Sequence, residues 1–353
     1  MNESEKKVTI YDVAKEAHVS TGTVSRYLNG IGKSRGDTET RIREAVEKLN
    51  FVPNRAARAL KSRKHSIICL AYPEADNPFF FELVKEIEGD LKKAGYSMMI
   101  SHTHGNPEEE LAILSMTKEG IMDGLILINF NYTPEHLAAF RDAECPLVLS
   151  SLCVSEYGGN EDDNFDYVGI DVFNGLYMTT MHLIEQGHRK IAYVGGPREL
   201  CVFRERFAGY CSALVKSNIE IEDRYCFFNG YGEAAGYESA LKILELEDRP
   251  TAICTVNDVT AIGVMKALKE HGVRIPEDMA VIGLDNISFD DALTPGLSSA
   301  NMMQESLGRC AVDFLLARLR GDRSRSKKII YQPELVIRES TRMEKGALQD
   351  AEK

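Results

Sequence analysis

Residues 8–30 read Val-Thr-Ile-Tyr-Asp-Val-Ala-Lys-Glu-Ala-His-Val-Ser-Thr-Gly-Thr-Val-Ser-Arg-Tyr-Leu-Asn-Gly. Thr9 precedes Ile10, Val13, Ala14 and Ala17, apolar at the i, i+3, i+4, i+7 spacing of one helical face, and Asp12 stands where a capping-box acid belongs. After His18 and Val19, Ser20 offers a second N-cap, and Val24, Tyr27 and Leu28 supply a second buried stripe. A third helix follows from Asp37 through Ile42, Ala45, Val46 and Leu49. Two short amphipathic helices with so short a turn between them, backed by a third, describe a helix-turn-helix. The second helix presents Thr21, Gly22, Ser25, Arg26 and Asn29 on its outer face, with Thr21 and Gly22 at the end that enters a major groove. Thr9, Ser20 and Thr23, at the helix starts, join them as candidate DNA contacts. Arg26 can donate two parallel hydrogen bonds to a guanine edge, a pairing that discriminates by about 1 to 3 kcal/mol.

The charge distribution agrees with this reading once it is taken by region. The chain of 353 residues carries a net charge of -12. Residues 1–64 hold 14 Lys and Arg against 8 Asp and Glu, a surplus of 6, which leaves -18 on the remainder. A small basic module is joined to an acidic body, so the module meets phosphates while the body is repelled by them. The sequence Gly32-Lys33-Ser34 imitates the end of a phosphate-binding P-loop, but Tyr27 rather than glycine precedes it at the required position, and no strand leads into it. A basic loop beside a phosphate backbone is the better reading.

Length predicts two or three domains. No run of about 18 apolar residues exists, and residues 1–7 are polar and charged, so the expectation is a cytoplasmic protein without a membrane segment. Eight cysteines, at 69, 145, 153, 201, 211, 226, 254 and 310, are scattered without a CxxC pair or zinc spacing, and are expected to be reduced. His102-Thr103-His104 lacks a third ligand, so no metal and no cofactor is expected. No nucleophile-base signature is present, and catalysis is not predicted.

From residue 66 onward, strand-like apolar runs at 66–71, 97–101, 124–129, 146–150, 167–171, 190–195, 252–256 and 279–284 alternate with helical stretches. Such alternation predicts parallel sheets covered by helices on both faces, and eight units exceed one comfortable sheet. The fold class is therefore α/β: a helix-turn-helix headpiece followed by two doubly wound subdomains whose strand ends face one shared cleft.

Residues 8–30, together with Phe-Val-Pro-Asn-Arg-Ala-Ala-Arg-Ala-Leu at 51–60, closely resemble the headpiece of the lac repressor (LacI/GalR) family. The segments 187–197, 206–210, 257–258, 283–286 and 333–341 look like the effector-domain signatures of the same family. The resemblance implies a transcription regulator that represses, with a type I periplasmic-binding-protein fold in the body. It implies a headpiece over 1–50, a hinge helix and linker over 51–64, and an effector and dimerisation domain over 65–342, followed by a polar tail at 343–353. Within that domain one subdomain comprises about 65–166 and 297–327, the other about 167–293 and 328–342. Chain crossings are expected near 293–296 and near Ile329. In the hinge, Asn54, Arg55, Ala57, Arg58 and Leu60 would meet DNA, Leu60 as a wedge in a central base step. A seven-residue helix is too short to be stable alone in water, so it should fold only against DNA and a second copy.

By the same resemblance, Arg206, Asn257 and Asp285 are the polar effector contacts, with Phe79, Phe80 and Tyr231 as flat apolar walls. A forked donor, an acceptor carboxylate and an amide together can satisfy neighbouring hydroxyls or a purine edge. Ser151 stands where some sugar-responsive relatives have an aspartate. His18 replaces the usual turn glycine, and the loop at 30–36 is about two residues longer than the family pattern, a loop insertion of the kind surfaces tolerate. The implied partners are a near-palindromic double-stranded operator, a second copy of the chain and a small effector, a sugar or sugar derivative ahead of a purine, a nucleoside or a co-regulator protein. The tail lacks the heptads of a tetramerising coiled coil.

Overall fold

The computed structural model describes residues 8–28, 36–52, 65–130, 132–151 and 165–342, with Ser151 described by its backbone alone. Asn29, the Gly32-Lys33-Ser34 loop, the hinge candidates Asn54, Arg55, Ala57, Arg58 and Leu60, and the tail lie outside the described residues. The chain divides into two units, Met1–His65 and Ser66–Lys353.

In the first unit, α1 (Ile10–Glu16), α2 (Thr21–Leu28) and α3 (Gly36–Lys48) close on a small core of Val13, Ala14, Ala17, Val24, Ile42 and Ala45. The predicted cap is present: the Thr9 amide and hydroxyl both donate to Asp12 Oδ2, at 2.8 and 2.7 Å. Ser20 Oγ accepts from the Thr23 amide at 3.1 Å, an amide that also donates to the Ser20 carbonyl at 2.9 Å, and so caps the start of α2. His18 supplies the left-handed turn residue between the helices, φ 54°, where glycine would carry no steric cost. Lys48 Nζ meets Glu16 Oε1 at 2.7 Å, tying α3 to α1.

The second unit begins with β1 (Ile67–Tyr72), α4 (Phe79–Lys93), β2 (Ser97–His102), α5 (Pro107–Met116), β3 (Gly124–Asn129), α6 (Pro134–Arg141), β4 (Leu147–Ser151) and β5 (Asp166–Ile170). It continues with α7 (Val172–Glu185), β6 (Ile191–Val194), α8 (Cys201–Lys216), β7 (Cys226–Phe227), α9 (Glu233–Leu244), β8 (Ala252–Thr255), α10 (Asp258–Glu270) and β9 (Ala280–Ile282). It ends with β10 (Ser299–Asn301), α11 (Gln304–Leu319), β11 (Lys328–Tyr331) and β12 (Glu334–Val336). One parallel sheet has the order β11-β5-β4-β3-β1-β2, and a second has β7-β6-β8-β9. β10 and β12 form an antiparallel pair.

The two-residue period of a strand explains why these runs are apolar without interruption. In β1, Ile68 and Leu70 face one core, shared with α4 and α11, while Cys69 and Ala71 face the other. In β6, Ile191 and Tyr193 point to one face, Ala192 and Val194 to the opposite one. Both sheets are buried on both sides. The helices start on polar caps at the strand ends: Asn106 accepts from the Glu108 amide at 2.8 Å, and Asp171 from the Asn174 amide at 2.9 Å.

The subdomain boundaries differ from expectation. β5 and β11 both lie in the first sheet, where Val148 aligns with Asp166 and Ile329 with Val168. Residues 166–170 and 328–331 therefore belong with β1, not with the second subdomain. The chain crosses after β5 and again between β11 and β12. The remaining crossing follows β10, because Leu293 and Leu297 still pack in the core of the second sheet. A strand's apolar pattern records burial but not which sheet buries it. The strands β7, β10, β11 and β12 were not anticipated; they are short or half-exposed, so they lack the continuous apolar run.

The expectation of reduced cysteines fails at Cys201, which is disulfide-bonded. The other described cysteines, at 69, 145, 211, 226, 254 and 310, are free. Disulfides depend on spatial approach of about 5.5 to 6 Å between Cα atoms, which local spacing does not report.

Candidate functional sites

The headpiece presents one of the two candidate sites. Gly22 and Arg26 are exposed on α2, and Thr21, Thr23 and Ser25 are half-buried. Arg26 Nε makes a long contact, 3.4 Å, with the Gly22 carbonyl one turn back on its own helix, which lays the guanidinium along the exposed face. Thr9 and Ser20 are committed to their caps, Ser20 Oγ also lying 2.9 Å from Thr23 Oγ1. They set the helix starts and use their side chains locally. Tyr11, on α1, has 72% of its surface exposed.

The second site is a pocket in the body, lined by Glu74, Asn77, Phe79, Phe80, Phe130, Phe203, Arg206, Tyr231, Asn257 and Asp285. Six of the expected effector residues meet there: Phe79, Phe80, Arg206, Tyr231, Asn257 and Asp285. For Ser151, the backbone closes β4 between Asn129 and Gly169, and the side chain lies outside what is described. Each lining residue follows the carboxyl end of a strand or opens the helix beyond it, the place where doubly wound sheets bind ligands.

Arg206 is buried on α8 and its Nη1 donates to the Val256 carbonyl at 3.0 Å, while Nε is buried without a hydrogen-bond partner. Asn257 is first a structural residue: Oδ1 caps α10 through the Thr260 amide at 2.8 Å, and Nδ2 donates to the Tyr231 carbonyl at 2.9 Å. One amide hydrogen is left to offer a ligand. Asp285 has φ 133°, a left-handed region unusual for a residue with a side chain, and is held there by its amide donating to the Ala300 carbonyl at 2.9 Å and by Gln304 Nε2 donating to its carbonyl. Burial drives the Asp285 carboxyl well above the usual carboxylate range, with Arg206 pulling it down and Asp258 and Glu74 pushing it further up.

Aromatic rings form the walls. Phe203 and Tyr231 stack with centroids 4.7 Å apart, and Phe79 meets Phe80 edge to face at 5.0 Å. Phe130 lies 6.2 Å from Phe203. The sequence reading missed Phe130, Phe203, Glu74 and Asn77. Phe203 was within reach of it, lying one helical turn before Arg206 on the same face.

Among the described residues no cluster of metal ligands occurs, and no helix is long and apolar enough to cross a membrane. His102 ends β2, and His104 Nδ1 lies 3.0 Å from Glu109 Oε2.

Residues 9–54 match the family described as bacterial regulatory proteins, lacI family, and residues 180–341 match a periplasmic binding protein-like domain. The chain is 32% identical over 336 residues to the HTH-type transcriptional repressor PurR of Actinobacillus pleuropneumoniae serotype 3 (strain JL03), covering 95% of this chain and 98% of that one. Among solved structures, the lac repressor dimer bound to operator and the anti-inducer ONPF shares the fold with a TM-score of 0.83 at 24% identity, covering 95% of this chain and 99% of that one. The transcriptional regulator CelR in complex with cellobiose gives 0.69 at 25% identity, covering 95% and 100%.

Proposed function

The chain belongs to the lacI family of bacterial regulatory proteins, and from that premise we propose that it is a DNA-binding transcriptional repressor whose operator affinity is set by a small effector, a sugar or sugar derivative, bound in the cavity of the body. The observation that carries the effector reading is that Arg206 Nε, buried without a hydrogen-bond partner, and the Asp285 carboxyl line the same aromatic-walled cavity. Buried polar groups without partners cost free energy unless something meets them, and a ring bearing hydroxyls meets both a donor and an acceptor. The complex of CelR with cellobiose, on the same fold, supports a sugar.

The headpiece reads the operator through α2, with Thr21, Gly22, Ser25 and Arg26 toward base edges. Thr9, Ser20 and Thr23 hold the helix starts against the backbone. Two copies are needed, because a headpiece of this size covers one half-site and affinity for a near-palindrome requires both. Effector binding couples to the operator through the relative position of the two sheets' subdomains, a coupling of about 1 to 3 kcal/mol in typical allosteric proteins. The protein works in the cytoplasm without catalysis, as do regulators of its kind.

A second reading of the effector is a flat nitrogenous base. The Phe203 and Tyr231 stack favours it, because such a platform takes an aromatic ring as readily as a pyranose face.

Selection of random duplexes by the full chain at physiological salt, with and without a panel of sugars and nucleosides, tests the whole reading. Enrichment of a near-palindrome that one compound strengthens or abolishes is the expected result. Failure to enrich any sequence overturns the operator reading, and enrichment indifferent to every compound overturns the effector reading.

A further inference from the structure

The cavity holds a carboxylate that no expectation included. Glu74 follows β1 in the loop leading to α4, and it lines the same space as Arg206 and Asp285. Its Oε2 accepts from Asn77 Nδ2 at 2.9 Å, which fixes the side chain, while Oε1 is buried with no hydrogen bond of normal geometry. The Tyr231 hydroxyl lies beside it. The site therefore contains two carboxylates, on Glu74 and Asp285, against a single guanidinium.

The usual devices for holding an anion are already spent. A helix N-terminus can cradle a phosphate with its free amides, but here Asn77 Oδ1 takes the Phe79 amide at 3.0 Å and Asn257 Oδ1 takes the Thr260 amide. Arg206 has one arm on the Val256 carbonyl, and no lysine or second arginine lines the cavity among the described residues. The remaining walls are aromatic, and they leave an added negative charge without solvation beside two acids.

Building on the effector reading above, we propose that Glu74 is a specificity-determining residue: it accepts a hydroxyl or N–H donor from the effector and restricts the site to unphosphorylated ring compounds. Burial pushes the Glu74 carboxyl upward, and the Asn77 and Tyr231 hydrogen bonds and the Arg206 charge oppose that shift. As a carboxylate, Oε1 is an acceptor only, and the oxygens of an ionised phosphate, also acceptors, cannot satisfy it.

The test uses the full chain, as wild type and as Glu74→Gln, with paired probes: ribose and ribose 5-phosphate, glucose and glucose 6-phosphate, guanosine and guanosine 5′-monophosphate. Thermal shift and titration calorimetry are the readouts, and unliganded melting checks that the variant folds. At least one parent compound should bind the wild type about tenfold or more tightly than its phosphate. In Glu74→Gln that gap should narrow, by loss on the parent side and gain on the phosphate side. Glu74→Asp, which keeps the charge on a shorter arm, replaces the glutamine variant if the latter fails to fold, and should preserve rejection of the phosphate. A phosphate that binds the wild type as well as its parent, or a glutamine variant indistinguishable from wild type, overturns the role of Glu74 while leaving the effector reading intact. If no probe binds the wild type, this inference falls together with the effector reading.

Discussion

Asn257 Nδ2 donates to the Tyr231 carbonyl at 2.9 Å while its Oδ1 caps α10 through the Thr260 amide. One side chain thus fixes both the loop that carries an aromatic wall and the start of a helix in the second sheet's subdomain. Its two jobs are separable. Asn257→Asp keeps an acceptor for the cap and removes the donor to Tyr231, whereas Asn257→Ala removes both.

The aspartate variant should keep the cap and lose effector affinity, because the Tyr231 loop is released and a third carboxyl enters the cavity; burying that group against the Tyr231 carbonyl should cost about 1 to 3 kcal/mol of stability. The alanine variant should instead lose about 0.5 to 2 kcal/mol, the usual cost of a deleted N-cap. Urea unfolding of the body and calorimetric titration of the effector measure the two effects. Undiminished effector affinity in the aspartate variant would mean that the Tyr231 bond is not what holds the loop.

Arg318 on α11 makes a two-pronged pair with Asp166 on β5, Nε to Oδ2 at 2.8 Å and Nη2 to Oδ1 at 2.7 Å, and the Lys327 amide adds a third donor at 2.8 Å. The Asp166 side chain is 1% exposed. Arg318→Ala should destabilise the body by about 3 to 5 kcal/mol, since it leaves a buried carboxylate without its counter-charge. Arg318→Met with Asp166→Leu together should recover much of that loss in chemical denaturation, because the pair's own net contribution is small.

The strands that surround the site could be read because they are buried on both faces: 124–128 and 252–254 are apolar without interruption, so periodicity and composition agree. What could not be read was pairing. Nothing in Asp166–Ile170 or Lys328–Tyr331 states that these segments join the first sheet rather than the second, since partner choice is decided by packing at long range. The same limit governed the site. Arg206 and Asp285 were identified through the family resemblance, and the structure brings them into one cavity. Glu74 carries no motif, and only its position beyond β1, buried among the lining residues, reveals it. Asn257 was found for its ligand chemistry, yet its first role is a cap, which its place immediately before α10 already encoded.

Gly22 lies on the exposed face of α2, and a Cβ there would come no closer to a neighbour than 3.7 Å, from Ser20 Oγ. Gly22→Ala should therefore stabilise α2 by about 0.4 to 1 kcal/mol through the unfolded state. Hydrogen exchange of the α2 amides in the full chain should slow accordingly. If α2 reads the operator as proposed, operator affinity should fall despite the firmer helix, because the methyl group would stand between the backbone and DNA. Unchanged affinity would remove Gly22 from the reading surface.

Behind Asp285, two further acids are buried together. Asp258 accepts from the Ser299 hydroxyl at 2.7 Å and the Ile287 amide at 3.1 Å, whereas both Asp290 oxygens lack a donor, with Arg338 Nη1 3.8 Å away. Burial first, and the adjacent Asp258 carboxylate second, raise the Asp290 carboxyl far above its ordinary value, with Arg338 opposing. The folded pair keeps a proton that the unfolded chain releases above a pH of about 3.8. The stabilisation is complete below that pH and is lost as pH rises toward the raised native value, so stability should decline through the neutral range. Asp290→Asn supplies the donor permanently and should flatten that decline, by up to about 1.4 kcal/mol per pH unit. Urea midpoints of wild type and variant between pH 5 and 8 measure the difference. Parallel curves would show that the folded pair carries no extra proton, and that Arg338 alone balances Asp290.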